Sequence, residues 1–308
     1  MADKIVVMGS LNMDLVGCAP RIPVVGETIV GSKYFSEPGG KGANQAYAAA
    51  VLGGRVTMLG RVGSDDFGRA MRSNLEKVGC DVSGLLTIEG ATSGIALIFV
   101  ADTGQNSIII VPGANDLFSP QDVDAAEAYL KGAGLVLLQL ENPLPTVIAA
   151  ARAAKRAGAR VILDPAPARE IPDELLELSD LVTPNETEAA ILAGLPPGGL
   201  NPDQALAIAR KLQARKAKIV IVKLGEQGCL LVDLRTSTLV PAPKVKAVDT
   251  TAAGDVFNAG LAVALSEGLD LPAACAFANR SASLSVTKLG TQIATPSRAE
   301  VDAFAGAT

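Results

Sequence analysis

Residues 248 to 260 read Val-Asp-Thr-Thr-Ala-Ala-Gly-Asp-Val-Phe-Asn-Ala-Gly. An alternating apolar segment (Val245, Ala247) ends just before them, and a helix is expected to run on to about Leu265. Ala252, Ala253 and Gly254 present little or no side chain, so the backbone there can turn tightly against a ligand. A helix that starts at such a turn aims unpaired N–H groups and the positive end of its dipole outward, which suits an anion. Asp255 then sets a carboxylate inside that anion site. Two readings stand side by side. Asp255 either caps the helix, or accepts a hydroxyl proton while the N–H groups hold the charge of a transferring phosphoryl group.

Further polar groups follow other apolar runs. Asn12 and Asp14 lie two residues apart after the first run, so in an extended segment both face one side and together can donate to and accept from adjacent hydroxyls. An Asx turn would explain the same pair. Pro38-Gly39-Gly40-Lys41-Gly42-Ala43-Asn44-Gln45 enters an Ala-rich helix, with Lys41 and Asn44 on its first turn. It is neither a Walker A loop, since Gly42 replaces the Ser/Thr after the Lys, nor G-x-G-x-x-G, since Gln45 fills the last position. Glu141 follows the run Leu135–Leu140. Asn185 and Glu188 fall on one face of a starting helix, where they can hold Mg²⁺ through its waters or form a capping box. Lys223 to Gly228, bounded by Gly225 and Gly228, reads as a hairpin or as a nucleotide-contacting loop.

These groups need a scaffold that gathers them. The chain has 308 residues, enough for one large α/β domain or two smaller ones. Apolar runs recur at Ile5–Met8, Val56–Leu59, Leu135–Leu140, Val161–Leu163, Leu181–Val182, Ile219–Leu224 and Cys229–Val232, with Ala-rich helical stretches such as Leu144–Ala157 and Pro202–Ala214 between them. That alternation predicts a mostly parallel sheet with helices on both faces, a three-layer α/β/α fold whose ligands sit at the carboxyl ends of the strands. Two stretches break the rhythm. Residues 15 to 37 hold short β-like pieces (Glu27–Val30, Lys33–Phe35), and residues 92 to 112 read as a hairpin. Together they predict a discontinuous β lid, or an extension of the main sheet, and a small sheet with one apolar face invites a second copy of the chain as cover.

Composition removes whole classes of function. There is no histidine, so Ser-His-Asp triads, Cys-His pairs and His-ligated zinc are out. A net charge of −5 with 3% aromatics argues against a nucleic-acid surface. No apolar run reaches the roughly 18 residues of a membrane span, and Ile5–Met8 is too short for a signal-peptide core. The four cysteines are far apart with no C-x-x-C, which suggests reduced thiols in a cytoplasmic protein.

Two motifs together carry a resemblance. Gly39-Gly40-Lys41-Gly42-Ala43-Asn44-Gln45-Ala46 resembles the N-terminal signature of the ribokinase-like (PfkB) carbohydrate kinases, and Asp249-Thr250-Thr251-Ala252-Ala253-Gly254-Asp255 resembles their C-terminal signature. Asn12-Met13-Asp14, Glu141, Pro165 to Glu170 and Thr183 to Glu186 fall in the family's order. The resemblance implies ATP-dependent phosphorylation of a sugar, D-ribose at its 5-hydroxyl, in a homodimer joined through the lid. Asn12, Asp14, Gly40, Lys41, Asn44 and Glu141 would bind the sugar. Asp255 would be the base, with Ala252, Ala253 and Gly254 as the anion hole. Asn185 and Glu188 would serve Mg²⁺ and phosphate, and Lys223, Gly225, Gly228, Gly254 and Asn279 would serve the nucleotide. A monovalent cation (K⁺) would take Asp249, Thr251, Ser285, Lys288 and Gly290. Ala294 matches a sixth position, where a serine oxygen can serve in the family. The alternatives are a sibling kinase for deoxyribose, fructose or adenosine, and a catalytically silent sugar-binding protein on the same fold.

Overall fold

The computed structural model describes residues 2–196 and 198–304. Thirteen strands run in chain order among the described residues. They are β1 Lys4–Met8, β2 Asn12–Ala19, β3 Lys33–Gly39, β4 Val56–Gly63, β5 Leu85–Ile88, β6 Gly94–Ala101 and β7 Asn106–Val111. The remainder are β8 Ala133–Leu138, β9 Arg160–Leu163, β10 Leu181–Val182, β11 Ile219–Lys223, β12 Cys229–Val232 and β13 Ser237–Val240. The α-helices are α1 Lys41–Val51, α2 Asp66–Lys77, α3 Pro120–Ala125, α4 Leu144–Arg156 and α5 Asp173–Leu178. They continue with α6 Glu186–Leu192, α7 Pro202–Ala214, α8 Ala253–Ser266, α9 Leu271–Ser285 and α10 Arg298–Ala303.

Nine strands form the main sheet, in the order β13-β12-β11-β10-β9-β8-β1-β4-β5. From β11 to β5 every neighbouring pair is parallel, and β12 and β13 close the other edge as antiparallel strands. A parallel strand covered on both faces must be apolar on both, which is why these runs are continuous rather than alternating. Alternate residues still part company. Ile5, Val7, Leu135, Leu137, Ile162 and Ile221 join a core with α1, α8 and α9, whereas Val6, Met8, Val136, Leu138, Val161 and Leu163 join a second core with α4, α5 and α7. Those two cores are the interfaces of a three-layer α/β/α fold.

The other four strands form a separate sheet in the order β3-β2-β6-β7, with β2 and β6 parallel and the outer pairs antiparallel. The register sets Asp14 opposite both Glu37 and Ala96, so these three share one face. Glu27–Val30, expected to be β-like, forms no strand. Gly26 turns the chain there with φ 81°, and Val25 and Val30 stand fully in solvent with no strand beside them. β propensity expresses packing against neighbours, and that stretch has none.

Candidate active site

Two glycines bring α1 against the strand ends. Gly40 holds φ 86°, and a Cβ on it would stand 2.6 Å from the Asn12 backbone nitrogen, so only glycine lets this turn pass over the start of β2. Gly42, two residues on, packs its backbone against Gly9 and Ser10. The first N–H groups of α1 are then satisfied from neighbouring elements. Lys41 N donates to Glu141 Oε2 at 3.0 Å, Gly42 N to Ser10 Oγ at 3.3 Å and Ala43 N to Ser10 O at 2.9 Å. Ser10 Oγ also donates to Glu141 Oε2, which ties Glu141, beyond the end of β8, to the residues after β1.

The helix start at 252 is different. Ala252 adopts a left-handed conformation at φ 57°, α8 begins at Ala253, and no side chain caps it. Ala253 N donates to Thr250 O at 3.3 Å in the preceding turn, the next first-turn N–H groups have no intrahelical partner, and residues 252–255 border a large cleft. Asp255 is not their cap. Its carboxylate accepts from Asn44 Nδ2 at 3.0 Å on one oxygen and from Gln45 Nε2 at 3.0 Å on the other. Asn44 is held in turn by Gln292 Nε2, 3.0 Å from its Oδ1.

The electrostatics of this cluster are those of crowded, buried carboxylates. Burial pushes Asp255 up to about 6, against the opposing pull of the Lys41 ammonium and the donors of Asn44 and Gln45. Asp14 is pushed up to about 7, by burial first and then by Glu37, Glu141 and Asp255. Burial alone would lower the Lys41 ammonium, but Asp255, Asp164, Glu141 and Glu188 more than reverse it and keep it charged. Asn12 is oriented from behind: Asn115 Nδ2 donates to its Oδ1 at 2.8 Å, which leaves its N–H bonds as what it offers a ligand.

A cleft of about 1330 Å³ opens beside this cluster. Lys41, Asp255, Asn185, Glu188, Lys223, Gly225, Gly228, Gly254 and Asn279 line it, whereas Asn12, Asp14, Gly40, Asn44 and Glu141 do not. Asp255 and Lys41 therefore stand between two groups of residues. Lys223 to Gly228 is the turn joining antiparallel β11 and β12, and Lys223 and Gly225 to Gly228 line the cleft. Asn185 and Glu188 do form a capping box on α6, with Glu188 N donating to Asn185 Oδ1 at 2.8 Å and Asn185 N to Glu188 Oε2 at 2.7 Å. Asn279 turns its Nδ2 to Val240 O at 2.9 Å, holding the end of β13 where the cleft wall begins.

Of the residues expected to hold a monovalent cation, Thr251 and Gly290 meet the Asp249 carboxylate directly. Asp249 accepts from Thr251 N at 2.9 Å and Gly290 N at 3.1 Å, and both Val248 N and Asp249 N donate to Val286 O. Burial pulls the Asp249 carboxyl upward, but these donors outweigh it and hold the group below its ordinary range. Ser285 Oγ donates back to Ala282 O, Ser285 O accepts from Lys288 N, and Ala294 is buried in the adjoining turn. Lys288 sends its ammonium away, to Glu300 at 2.8 Å.

Three residues of the cluster had no role in the sequence reading. Gln45, Asp164 and Gln139 form a hydrogen-bonded line behind Asp255, with Gln45 Nε2 to Asp164 Oδ2 at 2.9 Å and Gln139 Nε2 to Gln45 Oε1 at 2.7 Å. The signal for them was present: amides and a carboxylate next to apolar runs need partners once buried.

A helix N-terminus open to an anion, a buried carboxylate beside it and a lysine among carboxylates define a phosphoryl-transfer enzyme. The chain belongs to the pfkB family of carbohydrate kinases, whose profile matches residues 2–298. It is 42% identical to a Bacillus subtilis ribokinase over 299 residues, 97% of this chain and 98% of that one. It is 40% identical to a deoxyribokinase of Salmonella typhimurium over 294 residues, 95% of each. The structure of an Arabidopsis thaliana ribokinase complexed with ribose and ATP superimposes with a TM-score of 0.89, at 36% identity and covering 98% of both chains.

Proposed function

We propose that this protein transfers the γ-phosphoryl group of ATP to the 5-hydroxyl of D-ribose, giving ribose 5-phosphate. The observation that carries the proposal is the position of Asp255, which borders the large cleft and is also bonded to Asn44 in the polar cluster outside it. One carboxylate thus meets both reactants. Asn12, Asp14, Gly40, Lys41, Asn44 and Glu141 hold the sugar hydroxyls. Asp255 takes the proton from the attacking hydroxyl, and its raised pKa of about 6 makes it a better base than an ordinary aspartate while leaving it ionised at neutral pH. The N–H groups at Ala252, Ala253 and Gly254, with the Lys41 ammonium, receive the charge that develops on the transferring group.

The nucleotide lies along Lys223, Gly225, Gly228, Gly254 and Asn279. Mg²⁺, when bound with it, neutralises phosphate charge, and Asn185 and Glu188 would hold it through waters. The residues fit that role, since Glu188 and Asp164 both border the cleft and Glu188, raised by its burial, would be relieved by a cation. A K⁺ ion held by Asp249 and by Thr251, Ser285, Lys288, Gly290 and Ala294 would fix the turn that leads into α8. The bonds joining residues 248–251 to 286–290 support that assignment.

In the same reading the chain is one kinase domain, and the segments about 15–37 and 92–112 act as its lid. Ile108, Ile109, Ile110 and Val111 stand exposed along β7 beside exposed Phe99, an apolar edge that a second copy would cover in a homodimer. The setting is the cytoplasm, where ATP is available; no helix among the described residues is long and apolar enough to cross a membrane.

A coupled ADP-release assay with ATP, Mg²⁺ and a sugar panel tests the proposal. Turnover dependent on ribose is expected. Faster turnover on 2-deoxyribose, the acceptor suggested by the similar deoxyribokinase, would keep the chemistry and change the substrate. No turnover on any sugar while ribose still raises the melting temperature would mean a silent sugar-binding protein.

A further inference from the structure

Gln45 is fully buried near the start of α1, and all of its polar atoms are engaged. Nε2 donates to Asp255 Oδ1 at 3.0 Å and to Asp164 Oδ2 at 2.9 Å, while Oε1 accepts from Gln139 Nε2 at 2.7 Å. The other oxygen of Asp164 accepts from Lys223 Nζ at 3.0 Å. That ammonium lies 3.3 Å from where a Cβ on Gly254 would stand, beside the open N-terminus of α8. The line Asp255–Gln45–Asp164–Lys223 therefore starts at one side of the anion site and ends at the other. It is assembled from α8, α1, the segment after β9, and β11.

Each Asp255 oxygen takes one side-chain amide donor, Asn44 on Oδ2 and Gln45 on Oδ1. With Asn44 alone the carboxylate plane would be free to swing about that single bond. Asn44 belongs to the polar cluster that meets the sugar, but Gln45 has no exposed surface and does not border the cleft. A neutral amide suits the position, because it orients a base without neutralising it, as an ammonium there would. We infer that Gln45 is a positioning residue for phosphoryl transfer, fixing the plane of the Asp255 carboxylate toward the acceptor hydroxyl and tying it through Asp164 to Lys223 at the anion site. This inference rests on the reading of Asp255 as the base.

The charged groups around Asp255 set the direction of its pH response. Lys41 on α1 favours the ionised form, and Asp164 after β9 opposes it. Asp14 on β2 couples to it as a like charge, Lys223 on β11 is paired with Asp164, and Glu141 and Glu188 act on Lys41. Loss of the Gln45 donor removes a bond to the ionised carboxylate and so raises its pKa.

The test is Gln45→Met, which keeps the volume and removes both donors, assayed at saturating ribose and MgATP across pH. We expect kcat to fall about 10- to 100-fold with KM for ribose changed less than about threefold, and the acid limb of the kcat profile to move up by about one pH unit. Gln139→Met removes only the bond to Gln45 Oε1 and serves as the packing control, with the limb expected to stay in place. A limb that stays put in Gln45→Met, or moves equally in Gln139→Met, overturns the inference. Gln45→Glu, alike in shape but with an acceptor in place of the donor, repeats the measurement where Met is not tolerated, and its limb should move further up. Asp255→Asn separates the two levels. Wild-type turnover in that variant would remove the base itself, whereas a dead Asp255→Asn beside an unaltered Gln45→Met removes only the positioning role.

Discussion

Replacing Asp14 with asparagine should stabilise the sugar-free protein at alkaline pH and weaken its sugar site. Asp14 is buried opposite Glu37, with Glu141 and Asp255 also bearing on it, and it keeps its proton up to about pH 7 against an ordinary value of 3.8. A shift of that size corresponds to roughly 4 kcal/mol, at about 1.36 kcal/mol per unit. The sign follows from proton counting. Between pH 4 and 7 the folded chain holds a proton on Asp14 that the unfolded chain has released, so the stability linked to this group is full below about pH 4 and is lost as pH rises through about 7. Allowing for relaxation of the pocket, about 2 to 4 kcal/mol should disappear by pH 8. The Asp14→Asn variant carries no charge at this position and escapes that loss. With an unfolding entropy of about 2.1 cal/mol/K per residue, 308 residues give about 0.65 kcal/mol/K, so the variant should melt roughly 3 to 6 °C above wild type at pH 8. Below about pH 4 the two should melt together, and at pH 5 the gap should be under half of that at pH 8. Calorimetry without sugar reads this directly, which matters because the chain has no tryptophan to report by fluorescence. Equal differences in melting temperature at pH 5 and pH 8 would refute the reasoning. The strain has a use: sugar hydroxyls donating to the ionised carboxylate relieve it, so ribose binding near pH 7 should release a proton. Asp14→Asn should lose about 1.5 to 3 kcal/mol of ribose affinity at pH 8.

Other expectations follow from the same site. Asp255→Asn should lower kcat by about 10²- to 10⁴-fold with the sugar KM within a few-fold, measured by ADP release; near-normal turnover would end its role as base. Gly42→Ala places a Cβ 2.6 Å from the backbone of Gly9 and Ser10, where nothing flexible can yield. It should lose about 1 to 3 kcal/mol of stability, seen as an earlier denaturant midpoint, and an unchanged midpoint would count against this close crossing of α1 over the end of β1. Asp249→Ala should abolish any difference in turnover between K⁺ and tetramethylammonium buffers while MgATP still binds. A K⁺ stimulation that survives the substitution would place the ion elsewhere.

What the sequence made legible and what it hid have different physical causes. Seven of the nine strands of the main sheet could be read because strands covered on both faces are continuously apolar, as in Ile5–Met8 or Ile219–Lys223, whereas the largely exposed edge strands β5 and β13 carry no such run. Asn12, Asp14, Glu141 and Lys223 could be read because each follows or ends such a run, where sheets of this kind bind ligands. Asp255 stayed divided between cap and base, since a carboxylate in the first turn of a helix serves either purpose; the donors it meets, Asn44 and Gln45, exclude the cap and leave the base as the proposed role. Gln45 and Asp164 were harder still. One sits in an Ala-rich helix and the other begins an Asp-Pro turn, so each looks locally complete, and their bond spans 119 residues of chain. Yet the composition held a clue. Gln139 is a lone amide at an otherwise apolar strand end, Gln45 the largest polar group on the buried face of α1, and both are buried. A buried amide has to find donors and acceptors, and here the two meet one another. The line they form leads to the one carboxylate on which the proposed chemistry depends.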